Sequence, residues 1–235
     1  MIIRPDHDSV LFITQPDHAR LATDLIAGWQ DDGFPAHPRR DAILRAAAEH
    51  DNGWIEEDGT TIVDASGEPL DFIAAPVTVK QRIWPRAAAR LEAEPYVAAL
   101  VAHHALTVNT QPRTDPLWRG FFERMTAIEA ALLARAGDLA PHLDADYRFV
   151  AIADQLSLVF CNGWTAPFPL GGGRRTILNG TTLEVSPDPF GDRRLPLGIA
   201  ARRLPARRYE SAADLRAALA RAPIEWIEGA ARGCP

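Results

Sequence analysis

His18, the adjacent pair His50-Asp51, His104 and Asp154 are the residues of this chain best suited to do chemistry together. Each falls on a stretch whose other inward positions are Leu, Ile, Val or Ala, so each carries a metal-ligand type of side chain toward the core. A carboxylate in the middle of an apolar helix is costly unless it is paired or binds a metal, which makes Asp154 the most informative of the five. Imidazole suits Zn, Fe, Ni or Cu, and carboxylate widens the choice toward Mn and Mg. The expected cofactor is therefore a divalent metal ion, one of Mn, Fe, Ni, Zn or Mg. Such an ion supplies hydroxide near neutral pH by acidifying a bound water.

Each residue also has a plainer reading. A lone histidine at a core position is more often a satisfied core group than a ligand. Asp51 could be a helix-end turn residue, and Asp154 could pair with Arg20 or Arg148. The coincidence of all of them on inward faces is what favours a shared site.

Those faces belong to separate elements. Ser9 to Thr14 reads as a strand, and Pro16 opens a helix with His18, Ala22, Leu25, Ile26 and Trp29 on one stripe. A second helix from about Arg39 to His50 carries Ile43, Ala46, Ala47 and His50 and stops at Asn52-Gly53. From Trp54 to Pro85 no period is sustained, so a lid-like loop is expected over 54–85. A helix from about Arg86 breaks at Pro95, and Tyr96 to Val108 places Val97, Leu100, Val101, His104 and Val108 together. Asp115 to Arg135 is amphipathic, and Asp144 to Cys161 is apolar nearly all round, as a central buried helix should be. After Trp164 the pattern changes. Asn179-Gly180 sits between two β-like runs as a hairpin signal, Leu197 to Tyr209 reads as one or two strands, Ser211 with Asp214 caps a short helix, and Ile224 to Ile227 reads as a strand. Charge shifts at the same place, with 11 arginines against 7 carboxylates from Trp164 onward in a chain of net charge -6. The expected fold is mainly α, with a helical domain over 1–163 and a small β-rich α+β module over 164–235 packed on it.

An early His, a His-Asp pair at a helix end and a late Asp on a long helix, in that order, resemble the HD superfamily of metal-dependent phosphohydrolases. The resemblance implies an HD-like helical bundle, with His18, His50, Asp51 and Asp154 as metal ligands. It leaves His104, or its neighbour His103, for a second metal or for proton donation. The segments QPDHARLA (15–22), EHDNGW (49–54), YVAALVAHHA (96–105) and ADQLSLVFCNGW (153–164) also look like a bacterial family described only as a domain of unknown function. On the HD reading Asp51 and His104 are the catalytic pair, and Gln15, Asn52, Trp54, His103 and Arg113 line the substrate mouth. No lysine follows the His-Asp pair closely to meet a phosphate, and Lys80 is the only lysine in the chain. Arg113, Arg20 or the Arg39-Arg40 pair could take that part.

The leading expectation is a metal-dependent hydrolase of a phosphoester, nucleotide-like or smaller. The alternative is a non-catalytic metal- or small-molecule-binding protein on a degenerate scaffold of the same kind. With 235 residues, 47% hydrophobic and 24% charged, the chain can build an ordinary core. Two cysteines, Cys161 and Cys234, make no disulfide framework, and Cys161 reads as a buried thiol. The start turns charged at once, unlike a signal peptide, so a cytoplasmic protein is expected. Acidic net charge speaks against nucleic acid as a partner. A membrane is not expected either, since no apolar run reaches the roughly 20 residues needed to span one. A small-molecule substrate is the expected partner, and a homo-oligomer is allowed. Gly171-Gly172-Gly173-Arg174-Arg175 lacks the lysine and hydroxyl of a P-loop and reads as a turn.

Overall fold

The computed structural model describes residues 1–235. Its first thirteen residues form two antiparallel strands, β1 (Ile2–Asp6) and β2 (Ser9–Ile13). The helices follow: α1 (Gln15–Ala27), α2 (Arg40–Glu49), the short α3 (Ile55–Thr60), α4 (Val77–Arg90), α5 (Pro95–Val108), α6 (Arg119–Ala136) and α7 (Leu143–Asn162). The chain ends with β3 (Phe168–Pro169), β4 (Arg175–Asn179), β5 (Thr182–Ser186), β6 (Arg194–Pro205), α8 (Ala212–Arg221) and β7 (Ile224–Gly233).

All seven strands form one mixed sheet in the order β1-β2-β6-β7-β5-β4-β3, antiparallel except for the β5–β7 pair. The N-terminal hairpin joins the C-terminal strands through β2, where Ser9 faces Pro205 and Phe12 faces Arg202. Side chains alternate across it. Leu11 and Ile13 point to the helices and share one apolar core with α1, α5 and α7. Phe12 points the other way and packs with Leu204, Leu215 and Leu219 beneath α8.

This overturns the expected mainly α, HD-like bundle. About half the chain is helical and a fifth is strand, and the sheet is a full layer. The reason lies in β1. Its sequence, IIRPD, carries Arg4, Pro5 and Asp6, which read as a charged start. Proline is tolerated there because β1 is an edge strand.

Of the loop expected over 54–85, residues 55–60 and 77–85 are helical, the latter in α4, which runs on to Arg90. Helix α4 continues through Pro85, because Val79, Ile83 and Ala87 keep one buried stripe across it. Gly53 has a packing role rather than a helix-stop role. A Cβ there would lie 2.1 Å from the Ile83 carbonyl oxygen, so only glycine lets the turn after α2 press against α4.

Candidate metal centre

Four helices and one helix exit meet behind the cavity. Pro16 and the Thr14 cap, whose hydroxyl accepts from the Asp17 N–H, start α1 so that His18 points into the core. Helix α2 ends at His50, and the chain then turns so that Asp51 faces the same point. Helix α7 contributes Asp154, and α5 contributes His104. All five are buried.

The distances are short. His18 Nε2 lies 3.0 Å from Asp154 Oδ1 and 3.2 Å from His50 Nε2. His50 Nε2 lies 3.4 Å from Asp154 Oδ1 and 3.6 Å from Asp51 Oδ2, and His18 Nε2 lies 3.9 Å from that same oxygen. His18, His50 and Asp51 make one group able to hold a metal ion, and His50, His104 and Asp154 make another.

The outer hydrogen bonds decide which ring nitrogens are free. His50 Nδ1–H donates to the Ala47 carbonyl at 2.7 Å. The Ser157 hydroxyl lies 2.9 Å from the His18 carbonyl and 2.8 Å from His18 Nδ1; when its one proton goes to the carbonyl, it accepts the His18 Nδ1–H. In that tautomer of the neutral rings both Nε2 atoms present bare lone pairs to each other and to two carboxylates. Four acceptors facing one point require a shared cation, either a proton or a metal ion. His50 has a single lone pair to give and belongs to both groups, so the two groups describe one centre.

The electrostatics agree. Burial works against charge on His50, but Asp51 and Asp154 outweigh it and lift its pKa to about 9. Burial also opposes ionisation of Asp154, yet when protons rather than a metal occupy this point, the hydrogen bonds then donated by His18 and His50 hold it well below the usual carboxylate range. Burial raises the Asp51 pKa. His104 is pushed down to about 3 by burial and stays neutral, the ligand form, with its Nδ1 3.1 Å from the Tyr147 hydroxyl.

The centre opens on one side. His18 and His50 have no exposed surface, whereas Asp51, His104 and Asp154 keep 6%, 3% and 8% and border a cavity of about 270 Å³. Gln15 and Trp54, expected at a substrate mouth, line it as buried wall residues. Asn52 lies buried beside it and donates to Glu49 instead. His103 points to the other side of α5, where Nδ1 meets Glu129 at 2.7 Å. Arg113 is exposed and stacks over Phe122. Arg20 pairs with Asp17, Arg39 with Asp146, and Arg40 reaches the Ala27 carbonyl, so none of the arginines considered for phosphate enters the cavity.

The cation that does enter is Lys80, one helical turn from Trp84 on α4, and Phe72 and Ile73 complete that wall. Reading 54–85 as a loop hid this face. The missed signal for Ser157 was its place one turn beyond Asp154 on an otherwise apolar helix. A larger cavity of about 440 Å³, between α8 and the sheet, contains none of the five residues.

The family model described as "Protein of unknown function (DUF3891)" matches residues 1–206. The chain belongs to this family. The DUF3891 match takes in every residue of the buried His/Asp cluster and both faces of the cavity, and ends just after β6. No curated protein and no solved structure matches the chain. Both cysteines are free, Cys161 being buried. No helix is long and apolar enough to cross a membrane.

Outer-layer partners of metal-binding histidines typically contribute 10- to 100-fold in metal affinity. Ser157→Ala is therefore expected to weaken divalent-ion binding by about that factor while leaving the far-UV circular dichroism unchanged. An affinity equal to wild type, titrated by calorimetry, would show that His18 needs no such support.

Proposed function

We propose that this DUF3891 protein is a metal-dependent hydrolase whose centre is held by His18, His50, Asp51 and Asp154, with His104 at its edge. One observation carries the reading. The four converging acceptor groups open through Asp51, Asp154 and His104 onto a cavity, whereas a purely structural site would be closed by protein on every side. Two or three imidazoles among the donors favour Mn, Fe, Ni or Zn over Mg, which prefers oxygen. A divalent ion held there would acidify a water and polarise the bond under attack.

The order His18, His50-Asp51, Asp154 resembles that of HD phosphohydrolases and directs the reaction class toward phosphoesters. In such a step the water oxygen bonds to phosphorus, the ester P–O bond breaks, and its electron pair stays on the leaving oxygen. The water loses one proton and the leaving oxygen gains one. Asp51, whose carboxylate burial makes more basic, faces the cavity and takes the water's proton, while neutral His104 borders the leaving oxygen, which draws its proton from solvent in the cavity.

Purified protein is expected to contain about one equivalent of a transition metal, since one shared centre takes one ion. Asp51→Ala is expected to retain little of it and to lose hydrolysis of a general aryl phosphate. Elemental analysis beside a phosphatase assay reads both. Wild-type protein that rebinds none of Mn, Fe, Ni or Zn sinks the metal centre, and activity untouched by Asp51→Ala sinks the hydrolase.

A further inference from the structure

Along α4 the cations are accounted for, with one exception. Arg82 pairs with Glu57, Arg86 with Glu56 and Glu57, and Arg90 with Glu56. Lys80, half-buried in the cavity wall, has no carboxylate within ion-pair distance. Its Nζ gives one proton to the Ile73 carbonyl at 2.5 Å and keeps two N–H groups free. Asp71 acts on Lys80 only from beyond ion-pair distance, and a half-buried ammonium with no counter-ion in contact is a costly arrangement unless something else supplies the anion.

The geometry places that anion at the mouth. Trp84 packs against His104 at the cavity floor, with ring centroids 5.5 Å apart. Lys80 is four residues away, a rise of about 6 Å along the helix, beside Ile73, which is 57% exposed. The walls carry the apolar side chains of Trp54, Trp84, Phe72 and Leu158 beside the amides of Gln15, Asn109 and Gln111. At about 270 Å³ the space falls just below the 300–1,000 Å³ range of drug-sized pockets, which suits a small molecule and not a dinucleotide or a polymer.

We propose that the cavity takes a small organic molecule with a carboxylate or phosphate group that Lys80 binds at the mouth. Its apolar body lies among Trp54, Trp84 and Phe72, and the bond to be cleaved lies at the floor. The position of that bond rests on the metal-centre reading above, whereas the anion contact with Lys80 does not.

Lys80 is the only lysine in the chain, so an amine-selective acetylating reagent reports on it alone among side chains. The rate of Lys80 acetylation, located by peptide mass mapping, is to be followed in the full-length protein with benzoate, phenyl phosphate or neutral benzamide. Each is run with and without a chelator. Benzoate or phenyl phosphate is expected to slow the reaction about tenfold, as an ammonium held in charge-assisted hydrogen bonds should be slowed, and benzamide is not. Whichever anion still protects in chelator identifies the group that Lys80 takes. Lys80→Gln is expected to lose about tenfold in affinity for that anion, read by quenching of the wall tryptophans. Equal protection by benzamide, no protection by either anion, or undiminished binding in Lys80→Gln overturns the proposal. Absence of metal from the protein would overturn the centre without touching this result.

Discussion

Asp154→Asn is expected to remove the response of this protein to divalent metal, and to do so more completely than any outer-layer change. Asp154 Oδ1 is the carboxylate oxygen that lies nearest both histidine Nε2 groups, at 3.0 and 3.4 Å. An amide in its place keeps the shape but brings no charge to offset a dication. A ligand that binds only the folded chain stabilises it by about 2.7 kcal/mol at one hundred times its Kd. For a chain of this size that raises Tm by roughly 5–10 °C. Wild-type protein stripped with chelator should regain that increment when Mn, Fe, Ni or Zn is added, and Asp154→Asn should regain none. The competing account is a metal-free network in which a proton sits between His50 and Asp154. It makes a different forecast: wild type would melt at one temperature with metal or chelator, and Asp154→Asn would melt lower in both. Differential scanning calorimetry of the two proteins in the two buffers separates the accounts, and the second pattern would falsify the metal centre.

The convergence of the five residues was legible in the sequence because helical periodicity is local information. His18 with Ala22 and Leu25, and His50 with Ala46 and Ala47, lie on single stripes, and the observed α1, α2 and α7 carry them. The apolar run from Asp144 to Cys161 marked α7 as the buried helix, and it is. What failed was nonlocal. The sheet joins residues 9–12 to residues 202–205, and no period or turn signal encodes a partner almost two hundred residues away. Edge strand β1 hid behind its charges and Pro5, and α4 hid behind Pro85, since proline inside a helix usually ends it. Burial of Trp84 and Ile83 outweighs that penalty in the fold. The cost of the misreading was functional, because α4 supplies Trp84 and Lys80 to the cavity. The arginines considered for substrate lie outside the cavity for a related reason. Charge complementarity inside the fold had already claimed Arg20 and Arg39, and sequence alone does not show which cations are paired.

Arg39 leads to the largest expected effect on stability. Its guanidinium grips Asp146 with two bonds, Nε to Oδ2 at 2.5 Å and a terminal nitrogen to Oδ1 at 3.0 Å. Tyr96 donates its hydroxyl to the same Oδ2 at 2.7 Å, and His37 Nε2 lies 3.4 Å from Oδ1. Asp146 has no exposed surface, so this one carboxylate ties the start of α2, the first turn of α5 and the first turn of α7 together inside the core. Removing one partner of a buried pair leaves the other charge uncompensated and costs about 3–5 kcal/mol. Asp146→Ala is expected to lose that much in urea unfolding, a Tm drop of roughly 6–20 °C. The same physics predicts a rescue. Desolvation makes a buried ion pair no better than well-packed apolar groups, so Asp146→Leu combined with Arg39→Met should be more stable than Asp146→Leu alone. A single-variant loss below about 1 kcal/mol, the range of surface pairs, would mean that Asp146 is not the tie described here. A double variant less stable than the single would place the cost in shape rather than charge. The network sits at the opposite end of α2 from His50-Asp51. Asp146→Ala that still folds should therefore bind metal with wild-type stoichiometry, which separates the scaffold from the centre it holds.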